Sequence, residues 1–145
     1  MRGWPLPHAD NALDKEDRGQ ELVIGGSREI SGAEILAANA AGRDLARWSR
    51  AVVALKGATT FILSPQGGEW RPVSSTPGLG TSGSGDVLAG ILTGLAARGA
   101  SLEQAAAWGK VLHALAGARL AERKGRLGFL ARDLLVEIPL VMHWV

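Results

Sequence analysis

The sequence predicts an α/β domain, and three observations carry that expectation. Short apolar runs of strand length alternate with a helical pattern over the first half of the chain. Three helical stretches then follow one another over the second half. Between the halves lies a glycine-rich run, Gly78 to Leu95, that opens straight into one of those helices.

Taken in order, residues 1–20 read as an irregular arm and residues 21–145 as one domain. Glu21-Leu-Val-Ile24 is a short strand ended by Gly25-Gly26-Ser27. From Gly32 to about Ala41 the chain is Ala-rich and helical. Asp44 to Arg50 continues helically, with Leu45 and Trp48 three apart on one face. Ala51-Val-Val-Ala-Leu55 is an uninterrupted apolar run, the pattern of a strand buried on both faces. Thr59 to Leu63 and Glu69 to Val73 form a hairpin about the turn Pro65-Gln-Gly-Gly68. Asp86 to Arg98 is a helix closed by Gly99. Ser101-Leu-Glu-Gln104 caps a second, which runs to about Lys124 with Gly125 as its stop. A last helix covers Ala131 to Val141, bent or interrupted near Pro139.

Composition narrows the function. With 145 residues the chain fits a single domain, and 46% hydrophobic against 21% charged residues is a globular balance. A net charge of +2, scattered basic residues, no Tyr and two Phe argue against nucleic-acid binding. The absence of Cys excludes thiolate catalysis, disulfides and Cys-ligated zinc, and is compatible with a cytoplasmic home. No run of eighteen apolar residues suggests a membrane span, and the start of the chain has no signal-like apolar core, so a soluble protein is expected. The five Trp residues share no spacing and read as packing residues. His8, His113 and His143 form no metal spacing, and no metal site is expected of the side chains.

The glycine run carries the chemistry. Gly78, Gly80, Gly83, Gly85 and Gly90, with Thr81, Ser82 and Ser84, lead into a single carboxylate, Asp86. Glycines let backbone approach a ligand, and amides at a helix N-terminus point at an anion placed there. Gly83, Ser84 and Gly85 thus form a candidate anion hole, and Asp86 a candidate base whose carboxylate form the positive helix end favours. The plainer alternative is a flexible loop with Asp86 near an ordinary helix start. Lys56-Gly57-Ala58-Thr59-Thr60 lies at the end of a buried strand, where α/β folds bind ligands. Its lysine and hydroxyls suit a phosphate, although Lys56 also fits a solvated strand-end charge. His113, between Leu112 and apolar neighbours, reads either as a core histidine or as a ligand.

Together these blocks resemble a known family, the ADP/ATP-dependent NAD(P)H-hydrate dehydratases of the ribokinase-like carbohydrate kinase superfamily. The resemblance runs through Val53-Ala-Leu-Lys-Gly-Ala-Thr-Thr60 and Thr76-Pro-Gly-Leu-Gly-Thr-Ser-Gly-Ser-Gly-Asp-Val-Leu-Ala-Gly90. It continues in Leu112-His-Ala-Leu-Ala-Gly117 and Asp133-Leu-Leu-Val-Glu-Ile-Pro139. A shorter block, Asp17 to Arg28 followed by Gly32-Ala33, is similar to the family's opening strand and turn.

The resemblance implies a shortened three-layer α/β/α domain. It places adenine nucleotide on Lys56, Gly57, Ala58, Thr59, Thr60 and Gly85, and hydrated nicotinamide nucleotide on Ala33 and Asp86, with Asp86 catalytic. ATP or ADP with Mg2+ would drive dehydration of hydrated NADH or NADPH. One departure stands out: nine residues separate Ala41 from Ala51, where the family carries a long middle section with a Gly-Pro-Gly turn and a Pro-His loop. A sheet without its middle strands is expected to leave an open edge and a poorly covered central strand, closed by self-association into a homo-oligomer. Two alternatives remain. One is a non-catalytic nucleotide-binding or oligomerisation remnant; the other is a sugar-type kinase, against which stands Gly-Asp-Val-Leu-Ala-Gly at 85–90.

Overall fold

The computed structural model describes residues 21–25, 32–56, 59–72 and 76–145. The order is β1 (Glu21–Gly25), α1 (Gly32–Ser49), β2 (Val52–Lys56), β3 (Phe61–Leu63), β4 (Glu69–Trp70), α2 (Ser84–Ala97), α3 (Leu102–Lys124) and α4 (Ala131–His143). The four strands form one sheet in the order β1-β2-β3-β4. β1 runs parallel to β2, with Gly25 opposite Lys56, while β3 and β4 return antiparallel.

Period-two alternation sorts the sheet's side chains onto two faces. Val53, Phe61 and Leu63 meet Ala46 of α1 on one side. Val52 and Ile62 meet Leu88 and Leu92 of α2 and Ala106 and Ala107 of α3 on the other. The sheet therefore lies between helices, and the three-layer α/β/α expectation holds. The central strand is covered after all: Ala51 to Ala54 are buried, because α1 and the α2–α3 pair close both faces. What stays open among the described residues is the two edges, where β1 and the two-residue β4 have no outer neighbour.

A second core joins the helices. Leu95, Trp108, Leu112, Leu120, Phe129, Leu134 and Val141 pack between α2, α3 and α4. Beside it Glu137 is buried to 1% and ion-paired with Arg119 and Arg123 of α3. Close helix approach is set by small residues; a side chain at Gly109 would strike Leu92, and one at Gly117 would strike Leu79.

Several local expectations hold. The Ser101 hydroxyl accepts the Gln104 N–H at 3.2 Å, and Gly99 and Gly125 end their helices at φ 91° and 87°. Others need correction. α2 begins at Ser84, two residues before Asp86. β4 is only two residues long; Val73 lies outside the described residues. α4 runs through Pro139 to His143, because the carbonyl this proline leaves without a donor sits on an exposed face. Trp108 is a core residue, but Trp48 and Trp144 are 84% and 75% exposed, Trp144 standing edge-on to the His143 ring. Trp4 lies outside the described residues.

Candidate active site

Two chain segments meet at the carboxyl end of β2. The first is β2 itself, which delivers half-buried Lys56 at its last position. Gly57 and Ala58 lie outside the described residues; Thr59 is exposed and Thr60 buried as the chain turns into β3. Because β1 and β2 are parallel and in register at Gly25 and Lys56, both leave the sheet at the same edge. α1, and with it Ala33, therefore starts at the Lys56 edge.

The second segment is the glycine run. Pro77–Gly80 forms a short 3-10 turn, and the Thr81 N–H donates to the Gly78 carbonyl at 3.3 Å. Gly78 is tightly enclosed: a side chain there would strike the Phe129 ring and the Arg126 carbonyl. Gly83 is the N-cap of α2 at φ 82°, a left-handed conformation that suits glycine, and it supplies no side-chain cap. Its carbonyl accepts the N–H groups of Asp86 and Val87, each at 3.1 Å, while the Ser84 N–H donates to the Thr81 carbonyl at 3.3 Å. Of the candidate anion hole, Ser84 thus has its amide committed within the turn. Gly85 is in the first turn, where an α-helix leaves donors for an external acceptor.

Lys56 and Gly85 come together. The Lys56 ammonium is 3.4 Å from where a β-carbon on Gly85 would lie, so the missing side chain leaves the lysine beside the helix start. Asp86 is the next residue, exposed, at the rim of a cleft of about 490 Å³ between α2 and α4.

Beneath this turn is a group that the sequence left undecided. His113 of α3 is 3% exposed, and its Nε2 lies 3.0 Å from both the hydroxyl and the carbonyl of Ser84. Burial, then the charges of Lys110 and Lys56, push its pKa down to about 4, against a weaker opposing effect of the Ser84 carbonyl. The ring is neutral at physiological pH. Lys110, one helical turn before it, is buried to 6% and was not singled out from the sequence. Burial first and Lys56 second hold its ammonium below the ordinary lysine range. The available signal was spacing: residues three apart in a helix share a face.

The arrangement fits an anionic ligand: the Lys56 ammonium stands beside a glycine in the first turn of α2, with the charge of Lys110 nearby. Among the described residues no three His, Cys, Asp or Glu side chains gather to hold a metal ion. A divalent ion carried in with phosphates would therefore depend on the phosphate oxygens for most of its contacts.

An α/β domain with a cationic strand end facing a glycine-opened helix, and a carboxylate on that same turn, has groups of the kind that suit phosphate-bearing ligands. The family model described as NAD(P)H-hydrate dehydratase matches residues 41–140, and the chain belongs to that family. It is 51% identical over 94 residues to the ADP-dependent (S)-NAD(P)H-hydrate dehydratase of Xanthomonas campestris, covering 65% of this chain and 32% of that protein. It is 44% identical over 98 residues to the bifunctional NAD(P)H-hydrate repair enzyme Nnr of Moorella thermoacetica, covering 68% of this chain and 18% of that protein. The match thus spans about a third or less of these relatives' length.

Solved structures agree on the fold. Bacillus subtilis YxkO superposes with a TM-score of 0.73 at 19% identity, over 87% of this chain and 50% of that one. The ADP/ATP-dependent NAD(P)H-hydrate dehydratase of Bacillus subtilis, co-crystallised with ATP and Mg2+, gives 0.70 at 23% identity, over 77% and 41%. The fold is a shortened form of this ribokinase-like architecture.

Proposed function

We propose that this chain binds an adenine nucleotide between Lys56 and the N-terminus of α2 and uses it to dehydrate hydrated NADH or NADPH. The observation that carries the reading is the placement of Lys56 against Gly85 with Asp86 on the same turn. Lys56 and the Gly85 N–H would hold the transferring phosphoryl group, with Thr59, Thr60 and the neighbouring Gly57 and Ala58 around the nucleotide. Mg2+, when bound with the nucleotide, would neutralise phosphate charge. Asp86 would accept the proton of the hydrate's hydroxyl as that oxygen attacks the terminal phosphoryl group and the bond to the nucleotide leaving group breaks. Loss of the new phosphate, with a proton from the ring, would restore the reduced nicotinamide. Ala33, at the same sheet edge, is the matching substrate contact.

The test is direct: incubate the chain with hydrated NADH, ADP or ATP and Mg2+, and follow the return of reduced-nicotinamide absorbance. Recovery that requires the nucleotide supports the reading; no recovery alongside clear ADP binding supports a second one. That second reading is nucleotide binding without turnover, favoured by the match covering only 32% of the Xanthomonas enzyme.

We also infer self-association. The β1 edge is open among the described residues, and Leu36, Trp48, Leu135, Val136 and Trp144 are large, apolar and exposed. No helix among the described residues is long and apolar enough to cross a membrane, and a cytoplasmic home accords with a nucleotide-dependent reaction.

A further inference from the structure

We propose that His113 is a positioning residue: from α3 it clamps Ser84, and so fixes the first turn of α2 that carries Gly85 and Asp86. It touches neither ligand and acts through Ser84 alone.

The start of α2 needs an outside hold. Its N-cap is Gly83, which has no side chain to bind the first-turn amides, and no side-chain cap bond is present. The segment before it contains Gly78, Gly80 and Gly83, the residue type that loses most conformational entropy on being ordered. Ser84 is 2% exposed, and His113 reaches it with one nitrogen placed 3.0 Å from two of its oxygens.

That geometry fixes the ring's proton. A carbonyl oxygen can only accept, so the contact to the Ser84 carbonyl requires hydrogen on Nε2. The same N–H is shared with the Ser84 hydroxyl oxygen, and Nδ1 is left as a bare acceptor. Nδ1 is indeed buried with no hydrogen-bond partner. A residue serving only to fill space between α2 and α3 would be better apolar, since an unsatisfied buried nitrogen costs stability that a leucine avoids. The imidazole is explained by what its other nitrogen holds. Burial first, then the charges of Lys110 on the same helix face and Lys56 at the strand end, discourage a second proton, so the clamp keeps one form across the physiological range.

The experiment has two readouts, and only one of them depends on the functional reading above. His113→Leu, His113→Gln, Ser84→Ala and the His113→Leu/Ser84→Ala double variant are compared with the parent chain by ADP affinity and by hydrogen exchange. Glutamine can present an N–H near the Nε2 position; leucine cannot. Leucine should weaken ADP binding about tenfold, the scale of one lost buried hydrogen bond. Glutamine should restore most of that loss, and the double variant should be no worse than the worse single variant. Exchange of the Ser84 and Asp86 amides, which are hydrogen-bonded in the parent, should quicken in His113→Leu while the amides of β2 and the middle of α3 keep their protection. If the parent binds no ADP, the functional reading fails, and the exchange data alone still decide the role of His113. Unchanged first-turn exchange in a folded His113→Leu chain overturns the proposal. So does a glutamine variant that matches leucine in both readouts.

Discussion

The ammonium of Lys56 stands 3.4 Å from the point a β-carbon on Gly85 would occupy. A methyl group there meets the far end of a flexible side chain, so the fold can accept it. Alanine is also the better helix former, by up to about 1 kcal/mol. Gly85→Ala should therefore melt at or slightly above the parent temperature while binding ADP more weakly, because the methyl fills the space between the lysine and the helix start. Thermal melts with paired calorimetric titrations check this. Equal ADP affinity in the two proteins would place the phosphates elsewhere.

ADP or ATP with Mg2+ should raise the melting temperature. A ligand that binds only the native state stabilises it by about 2.7 kcal/mol at a hundredfold excess over Kd. Lys56→Met should abolish the shift, since the lysine's charge is the main attraction at the strand end. A melting curve that saturating nucleotide leaves unmoved would remove the proposed site.

Asp86→Asn should separate binding from chemistry. The amide keeps the size of the side chain but cannot accept the substrate proton, so kcat should fall by about 10²- to 10⁴-fold with ADP affinity largely intact. The readout is turnover of hydrated NADH beside a direct ADP titration. An Asp86→Asn protein working at the parent rate would show that another group is the base.

Acid should weaken the fold in a window set by His113. Its native pKa, about 4, lies below the ordinary 6.5, so the unfolded chain takes up the proton first. Its contribution is complete above about pH 6.5 and is lost as pH falls towards 4, amounting to about 2 kcal/mol between pH 7 and pH 5. The carboxyls of Glu69, lowered chiefly by its Arg71 partner, and Asp133, lowered chiefly by the Leu130 N–H, act at lower pH, below their ordinary range. Urea unfolding at pH 7 and pH 5 should thus show a drop in the parent that largely disappears in His113→Leu. An equal drop in both would exonerate the histidine.

The Glu137 pairing should respond unequally to its two sides. Glu137 is 1% exposed, whereas the Arg119 and Arg123 side chains are 41% and 59% exposed. Removing the carboxylate leaves two arginines that water can solvate; removing both arginines strands a buried charge. The double Arg119→Ala/Arg123→Ala variant should lose about 3–5 kcal/mol, and Glu137→Leu clearly less. Chemical denaturation of both decides it, with equal losses counting against the argument.

Much of the fold was legible because its signals are local. The apolar run at 51–55, the Ser101 cap and the stops at Gly99 and Gly125 each lie within a few residues of the feature they specify. What escaped depends on distance in sequence. Glu137 meets Arg119 and Arg123 across two helices, 18 and 14 residues away, and neither element reveals the pairing. His113 and Ser84 are 29 apart: the reading of a core histidine with one hydrogen bond holds, while its partner, Ser84, had no local signal. Ser84 sits in the candidate anion hole by position, while its amide donates to the Thr81 carbonyl, a bond within the turn that the sequence does not announce.

The helical core has a consequence for how the molecule comes apart. Leu95, Leu112, Leu120, Leu134 and Val141 all belong to one uninterrupted stretch of chain, 84–143, and meet one another without help from the strands. Contacts between neighbours in sequence close small loops and form early. Asp86, Lys110 and His113 ride on that stretch of neighbouring helices, whereas Lys56 is carried by the sheet. Partial opening that draws β2 away from the α2–α3 face would strip the hollow of its strand-end cation while its carboxylate stayed in place, so anion affinity would vanish before helical structure did.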